Sequence, residues 1–264
     1  MKLELLNKSF EKNDLSLLAE KFGTDKSATG YTSVYHEIMK EKRELDDVSL
    51  LEIGIFRGSS IKMWHQYFMH AKIFGIDNGR LLPNTNLTLG DSNQNPSKDD
   101  VTLLDESACA MAQFEWLEND RIKCAIADQR SYKQLLDAFS KFETTKFDYI
   151  IDDGHHFQEH QQKSFALMFP HTKSGGYYII EDICCHNDLL NGSYWGQKEK
   201  DCSDSTDFVI SKYISTGNLQ SPYMNESQTS YIQNNIEDIA LFDARGENFS
   251  PIVGTSKLLI VKKK

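Results

Sequence analysis

Two short stretches combine acids and histidines in a way that could support chemistry. Asp152-Asp153-Gly154-His155-His156 follows the apolar run from Phe147, and Glu181-Asp182 follows the apolar Tyr177–Ile180. Acids at the end of a buried strand are costly to bury without partners. If the two runs are neighbouring parallel strands they end side by side, and Asp153, Glu181 and Asp182 converge. Three carboxylates so placed repel one another unless a cation binds or some are protonated. An oxygen-only donor set suits Mg²⁺, which keeps several waters and binds through few carboxylates. His156 then lies beside the ion, with a near-neutral intrinsic pKa suited to taking a proton from a hydroxyl. His155 competes with it for that role.

A second motif, Glu52-Ile53-Gly54-Ile55-Phe56-Arg57-Gly58-Ser59, follows a buried run and opens a helical pattern. Gly54 and Gly58 let the backbone turn tightly against a ligand that a Cβ would exclude. Ser59 is expected to N-cap the following helix. Asp77 ends the next apolar run, where an acid can accept from two ribose hydroxyls. Asp128-Gln129 ends the third, a place from which an adenine amino group can be read. A dinucleotide loop would carry G-x-G-x-x-G, whereas the spacing here is E-x-G-x-x-x-G.

The elements that must position these residues are legible from periodicity. Ser49–Ile55, Lys72–Asp77, Ile122–Ala127, Phe147–Asp152 and Gly176–Ile180 predict strands buried on both faces. Ser59–His70, Tyr132–Phe142 and Gln158–Phe169 predict helices between them, and Leu15–Phe22 and Tyr31–Lys42 predict two more ahead of them. Such alternation implies βαβ units and a parallel sheet with right-handed crossovers. Ile236–Asp243 and Lys257–Lys263 predict an antiparallel hairpin closing it. The domain reading is a helical extension or lid over 1–46 and a Rossmann-like domain over 47–264, with 78–118 as an insertion. Gly79–Asp100, a helix near Leu103–Leu117 and the polar Cys185–Asp204 follow strand ends and are candidates for lids or contacts.

Bulk composition narrows the partners. The chain has 264 residues, 39% hydrophobic and 26% charged, which suits one large α/β domain. Its formal charge of −10 argues against nucleic acid, whose binding runs on clustered Lys and Arg. No apolar run reaches the roughly 20 residues that span a bilayer, and Met1–Glu11 has no signal-peptide core. Five cysteines (109, 124, 184, 185 and 202), without a C-x-x-C spacing, fit neither a disulfide framework nor a zinc site. A reduced, cytoplasmic protein is expected, and a homo-oligomer is compatible with these features.

Glu52–Ser59 resembles motif I of the S-adenosylmethionine-dependent methyltransferases, with Asp77 at the family's ribose-binding acid. The parallel sheet closed by an antiparallel hairpin is likewise the class I methyltransferase topology. Asp-Asp-Gly-x-His at 152–156, Ile-Glu-Asp at 180–182 and Phe22-Gly23-Thr24-Asp25-Lys26 are similar to the Mg²⁺-dependent macrolide sugar O-methyltransferases of the mycinamicin type. The similarity runs from about Phe22 to the end of the fifth strand. It implies Asp153, Glu181 and Asp182 as Mg²⁺ ligands, His156 as general base, and Asp152 near the methionine or sulfonium end of the cofactor. The family usually has a small residue where His155 stands, and motif position favours His156.

The expected function is O-methylation of a hydroxyl on a sugar or sugar-bearing small molecule, in natural-product or surface-polysaccharide biosynthesis. Rival readings are methylation of a phosphate or phosphoramidate oxygen on a capsule precursor, a cephalosporin-hydroxylase-like oxidoreductase, and a cofactor-binding module without chemistry. His156 and His160, four apart, would share a helix face, but no H-E-x-x-H glutamate accompanies them. Trp64, Trp116 and Tyr67 read as core. Asp25-Lys26 reads as a surface ion pair or as part of a cofactor lid.

Overall fold

The computed structural model describes residues 2–3, 12–79, 114–183, 203–243 and 257–264. The expected Gly79–Asp100 loop beyond its first residue, most of the Leu103–Leu117 helix, and most of Cys185–Asp204 lie outside them. Five parallel strands form the body of one sheet: β1 (Ser49–Ile53), β2 (Lys72–Asp77), β3 (Ile122–Ile126), β4 (Phe147–Asp152) and β5 (Thr172–Ile183). The hairpin β6 (Ile236–Asp243) and β7 (Lys257–Lys263) completes it, with β7 antiparallel to both β5 and β6, in the order β3-β2-β1-β4-β5-β7-β6. The reversal of strand order beside β1 places a crevice at the carboxyl ends of β1 and β4.

Strand residues alternate between two apolar layers. Leu50, Ile73, Tyr149, Ile179 and Ile260 face one core, which also takes in α1 (Asp14–Phe22), α2 (Tyr31–Met39) and α3 (Ser59–Tyr67). Leu51, Phe74, Ile150, Ile180 and Leu259 face the other, filled by α4 (Tyr132–Phe142), α5 (Gln158–Met168), α6 (Thr206–Thr216) and α7 (Glu226–Asn235). β1 and β4 are buried along their whole length, as central strands covered on both faces must be. Trp64 and Tyr67 are core residues as expected, whereas Trp116 is about half exposed, with Lys62 Nζ 4.6 Å from its ring centre.

The differences from expectation have local causes. β5 runs from Thr172 to Ile183 rather than over Gly176–Ile180, because Gly175 and Gly176 do not end it. The predicted second helix ends at Met39, and Lys40–Lys42 form a tighter 3₁₀ turn. α3 ends at Tyr67, three residues early, where Phe68 turns extended. Its N-cap is Gly58, at φ 71°, and Ser59 is the first helical residue rather than the cap. α6 and α7 were not anticipated. Each nonetheless carries a polar cap: Ser205 accepts from the Phe208 amide, and Asn225 and Gln228 form a capping box.

The loops after β1 and β4 interlock through one glycine. Gly54 has φ 99°, and a Cβ added there would lie 2.0 Å from the Asp153 carbonyl oxygen. The Gly54 amide donates to Ile76 O at 2.7 Å and the Asp153 amide to Ile53 O at 2.9 Å, so neither strand end can retreat. Gly54→Ala should therefore lower stability by about 3 kcal/mol or more, combining a backbone clash with left-handed strain. Gly217→Ala also has positive φ, at 71°, but nothing within 4 Å of the added carbon. It should cost only about 1 kcal/mol, the conformational penalty alone. Urea denaturation of the two variants measures the contrast.

Candidate active site

The acids and the histidine converge where β1, β4 and β5 end together. Register pairs Ile53 with Asp152 and Asp152 with Ile180, so Glu52, Asp153 and Glu181 follow from three adjacent strands. Between Ile180 and Ile183, β5 carries one residue more than β7 opposite. Such a bulge re-aims side chains near functional sites. Asp182 lies within it at φ 51°, a conformation an aspartate adopts at some cost. Gln161 on α5 supports the bulge, its Nε2 donating to Glu181 O at 3.1 Å and Asp182 O at 3.4 Å.

Two donor clusters share Asp153. In one, single donor atoms of Asp153, His156 and Asp182 all lie within 4.8 Å of each other. His156 Nε2 is 3.8 Å from Asp182 Oδ2. In the other, Glu52, Asp153 and Glu181 group in the same way. The expected ligand trio of Asp153, Glu181 and Asp182 is thus divided between the two clusters. The cause is Lys26, 1% exposed, whose ammonium sits among the second set. Its Nζ donates to Asp153 Oδ2 at 2.6 Å and Glu181 Oε1 at 2.7 Å, and pairs with Glu52 Oε1 at 3.2 Å. Lys26 is no surface ion pair.

The N-terminal helical segment supplies the remaining partners. Tyr35 donates to Glu181 Oε1 at 2.5 Å, and Tyr31 to Asp182 Oδ1 at 2.8 Å. Burial opposes the Lys26 charge, but the carboxylates of Asp153, Glu181 and Glu52 outweigh it and raise the pKa well above the ordinary value. Burial raises Asp153 and Glu181 in turn, with Lys26 pulling the other way. Three carboxylates, those of Glu52, Asp153 and Glu181, therefore face one ammonium, with Asp182 beyond them next to His156. The excess negative charge makes the Asp153–His156–Asp182 side a natural place for a divalent cation.

The glycine loop lies against this cluster. Glu52 is fully buried; its Oε2 accepts from Ser60 Oγ at 2.7 Å and Trp64 Nε1 at 3.2 Å. It therefore supports the loop from beneath. Asp77 Oδ2 accepts the amides of Ile55 and Phe56 at 2.9 and 3.0 Å, and Oδ1 that of Gly79 at 2.8 Å. Three amides take most of a carboxylate's acceptor capacity, leaving about one lone-pair position for a hydroxyl.

Gln129 is buried at the end of β3. Its Nε2 donates to Asp152 Oδ1 at 3.2 Å and its Oε1 accepts the His155 amide at 2.9 Å, bracing the turn that presents His156. Asp128 forms a fork with Arg130 at 3.0 and 2.7 Å, which holds its carboxyl down to about 2. Asp152 is buried and pushed up to about 6 by burial, and accepts from the Gly154 amide at 3.3 Å and Tyr178 OH at 3.3 Å.

The two histidines diverge. His155 packs on Phe157, with ring centres 3.8 Å apart, and on His160 at 4.6 Å. His156 faces Asp182. It also precedes α5, so it does not share a helix face with His160. Tyr31 and Tyr35 were missed as functional residues, although their spacing of four puts both on one helix face. Cys124 is buried and its thiol is pushed up to about 12, so it is unreactive; the other four cysteines lie outside the described residues. Among the described residues no helix is long and apolar enough to cross a membrane.

This strand order, with a glycine loop after β1 and acids after β4 and β5, is the class I methyltransferase fold. The fold is shared with the MycE methyltransferase of the mycinamycin biosynthetic pathway, solved in complex with Mg and SAH. The TM-score is 0.59 at 23% identity, over 97% of this chain and 56% of that one. In sequence the chain is 28% identical over 216 residues to demethylmacrocin O-methyltransferase of Streptomyces fradiae, covering 77% of this chain and 44% of that protein. It is 29% identical over 190 residues to L-olivosyl-oleandolide 3-O-methyltransferase of Streptomyces antibioticus, covering 69% and 38%. The chain thus spans less than half the length of these curated relatives. No protein-family model matches it.

The His160 environment has a consequence for stability. Burial, Arg130 and His155 push its pKa down to about 4, below the unfolded value of 6.5. The unfolded chain therefore binds the proton more readily. The contribution of neutral His160 is complete above pH 6.5 and is lost as pH falls through 4. Urea midpoints of wild type should fall between pH 7 and pH 4.5, and fall less in His160→Gln.

Proposed function

We propose that the chain is the catalytic domain of an S-adenosylmethionine-dependent O-methyltransferase, metal-assisted, acting on a hydroxyl of a sugar or sugar-bearing small molecule. The observation that carries this reading is the Asp153–His156–Asp182 cluster at the ends of β4 and β5, locked by backbone contact to the glycine loop after β1. The relatives are named as O-methyltransferases, one of them for an L-olivosyl compound, which supports the acceptor class. A role in natural-product or surface-polysaccharide biosynthesis, in the cytoplasm, agrees with this assignment.

The bound cofactor would supply an electrophilic methyl, and a Mg²⁺ held by Asp153 and Asp182, with Glu181 behind them, would acidify the acceptor hydroxyl. The chain's own residues do the rest. The Gly54–Gly58 loop and the start of α3, through Ser59, form the wall for the cofactor, with Asp77 beside its ribose. Asp152, buried and braced by Gln129, fixes the β4 end close to where the methionine end would lie. His156 Nε2 accepts the hydroxyl proton, and Asp182, 3.8 Å away, stabilises the resulting imidazolium. Methyl transfer requires in-line alignment above all, so a rigid cradle contributes much of the rate.

Titration calorimetry with S-adenosylmethionine and S-adenosylhomocysteine, in Mg²⁺ and in chelator, tests the cofactor assignment. Micromolar-range binding is expected, and absence of binding under every condition would overturn the proposal. Nucleotide sugars, glycosylated small molecules and phosphorylated sugars then separate hydroxyl from phosphate-oxygen acceptors. With an accepted substrate, His156→Ala should lower kcat by about 10²–10⁴-fold. S-adenosylhomocysteine affinity should stay within about twofold of wild type.

A further inference from the structure

The Glu52–Asp153–Glu181 cluster has the composition and spacing of a cation site, and the protein already fills it. Its three donor atoms come within 4.8 Å of one another, as ligands of one ion would. The ammonium of Lys26 lies 2.6, 2.7 and 3.2 Å from the three acids. Among the described residues Glu52 Oε1, which is fully buried, has no hydrogen-bond partner of good geometry, and the ion pair with Lys26 is what compensates it. Lys26 reaches these acids across 127 residues of chain to Asp153 and 155 to Glu181. The segment that carries it is anchored on both sides: α1 ends at Gly23, and Tyr31 and Tyr35 of α2 hold Asp182 and Glu181.

We propose that Lys26 is a tethered resident cation and a positioning residue. It occupies the inner of two adjoining cation sites, orients Asp153 and Glu181, and confines exchangeable divalent metal to the outer side, at Asp153 and Asp182 beside His156. The inference rests on the metal-assisted reading of the outer site. It adds that the inner site is closed to metal by a side chain of the N-terminal segment. An ammonium is the suitable occupant because it donates directed hydrogen bonds and cannot exchange with solvent. It also cancels one charge where three carboxylates would otherwise repel. Removing one partner of such a buried set leaves uncompensated charge, so the vacated position should recruit another cation.

The experiment counts metal ions in wild type and in Lys26→Met, which keeps the side chain's length without its charge. Stability is measured by urea unfolding across a Mn²⁺ series, and bound Mn²⁺ is counted independently by electron paramagnetic resonance. The slope of stability against the logarithm of free ion gives the number bound. Wild type should bind one ion, Lys26→Met two, and Lys26→Arg, which keeps a tethered cation, one. Because unfolding is followed in the presence of the ion, a variant that needs metal to fold is still read. A Lys26→Met that gains no ion over wild type, or that folds at no Mn²⁺ concentration, overturns the proposal. A wild type that binds none overturns the metal-assisted reading of the outer site. A gain of one ion on removing Lys26 would then still support the resident-cation role.

Discussion

Four carboxylates crowded at the ends of three neighbouring strands are the constraint to which much of this molecule answers. At an effective dielectric near 20, two charges 4 Å apart interact by about 4 kcal/mol, so each repulsion among the acids rivals the attraction any single cation can offer. Lys26 touches three of the acids and Tyr31 and Tyr35 hydrogen-bond two of them. The segment from α1 to α2 is therefore part of the site's electrostatics as well as a cover for one face of the sheet. Removing it would uncover the part of the apolar layer that stays behind, Trp64 included, on whose ring Tyr35 packs. It would also strand the acids.

The second constraint is mechanical. The Asp153 carbonyl lies where a Cβ of residue 54 would be, and the amides of Gly54 and Asp153 bond the neighbouring strands. Asp77 holds the next two amides of the same loop. The glycine loop and the acidic turn consequently cannot shift independently. A cofactor seated in the first is registered against groups in the second without a moving part. Packed backbones of this kind are stiff, and stiffness is what a reaction governed by alignment requires.

The sequence revealed the strands because runs buried on both faces are short and continuous, and the hairpin was delimited correctly by its flanking turn residues. It also placed acids at strand ends, since parallel neighbours finish together. What stayed hidden depends on contacts distant in sequence. Lys26 looks like any surface lysine until its partners, more than a hundred residues away, are brought to it. Tyr31 and Tyr35 look like core aromatics, and their hydroxyls acquire a role only opposite Asp182 and Glu181. The bulge at 181–182 arises from pairing with β7 and has no local signature in β5. α7 has Ile232 as its one buried side chain, so periodicity is silent there. Its capping box was the available signal.

The choice between the two histidines shows how the turn converts sequence into role. Asp152 accepts from Gln129 Nε2 and the Gly154 amide, while Gln129 Oε1 accepts the amide of His155. These bonds fix the backbone on either side of Gly154. The two following side chains then take different directions. His155 goes to Phe157 and His160, and its pKa is lowered by burial, by His156 and by Arg130. A base so placed is weakened and lies away from the acids. His156 goes to Asp182 and Asp153, with its Nε2 3.8 Å from Asp182 Oδ2. In the proposed function the base is His156, and the brace that separates the two histidines is Gln129, from the end of β3.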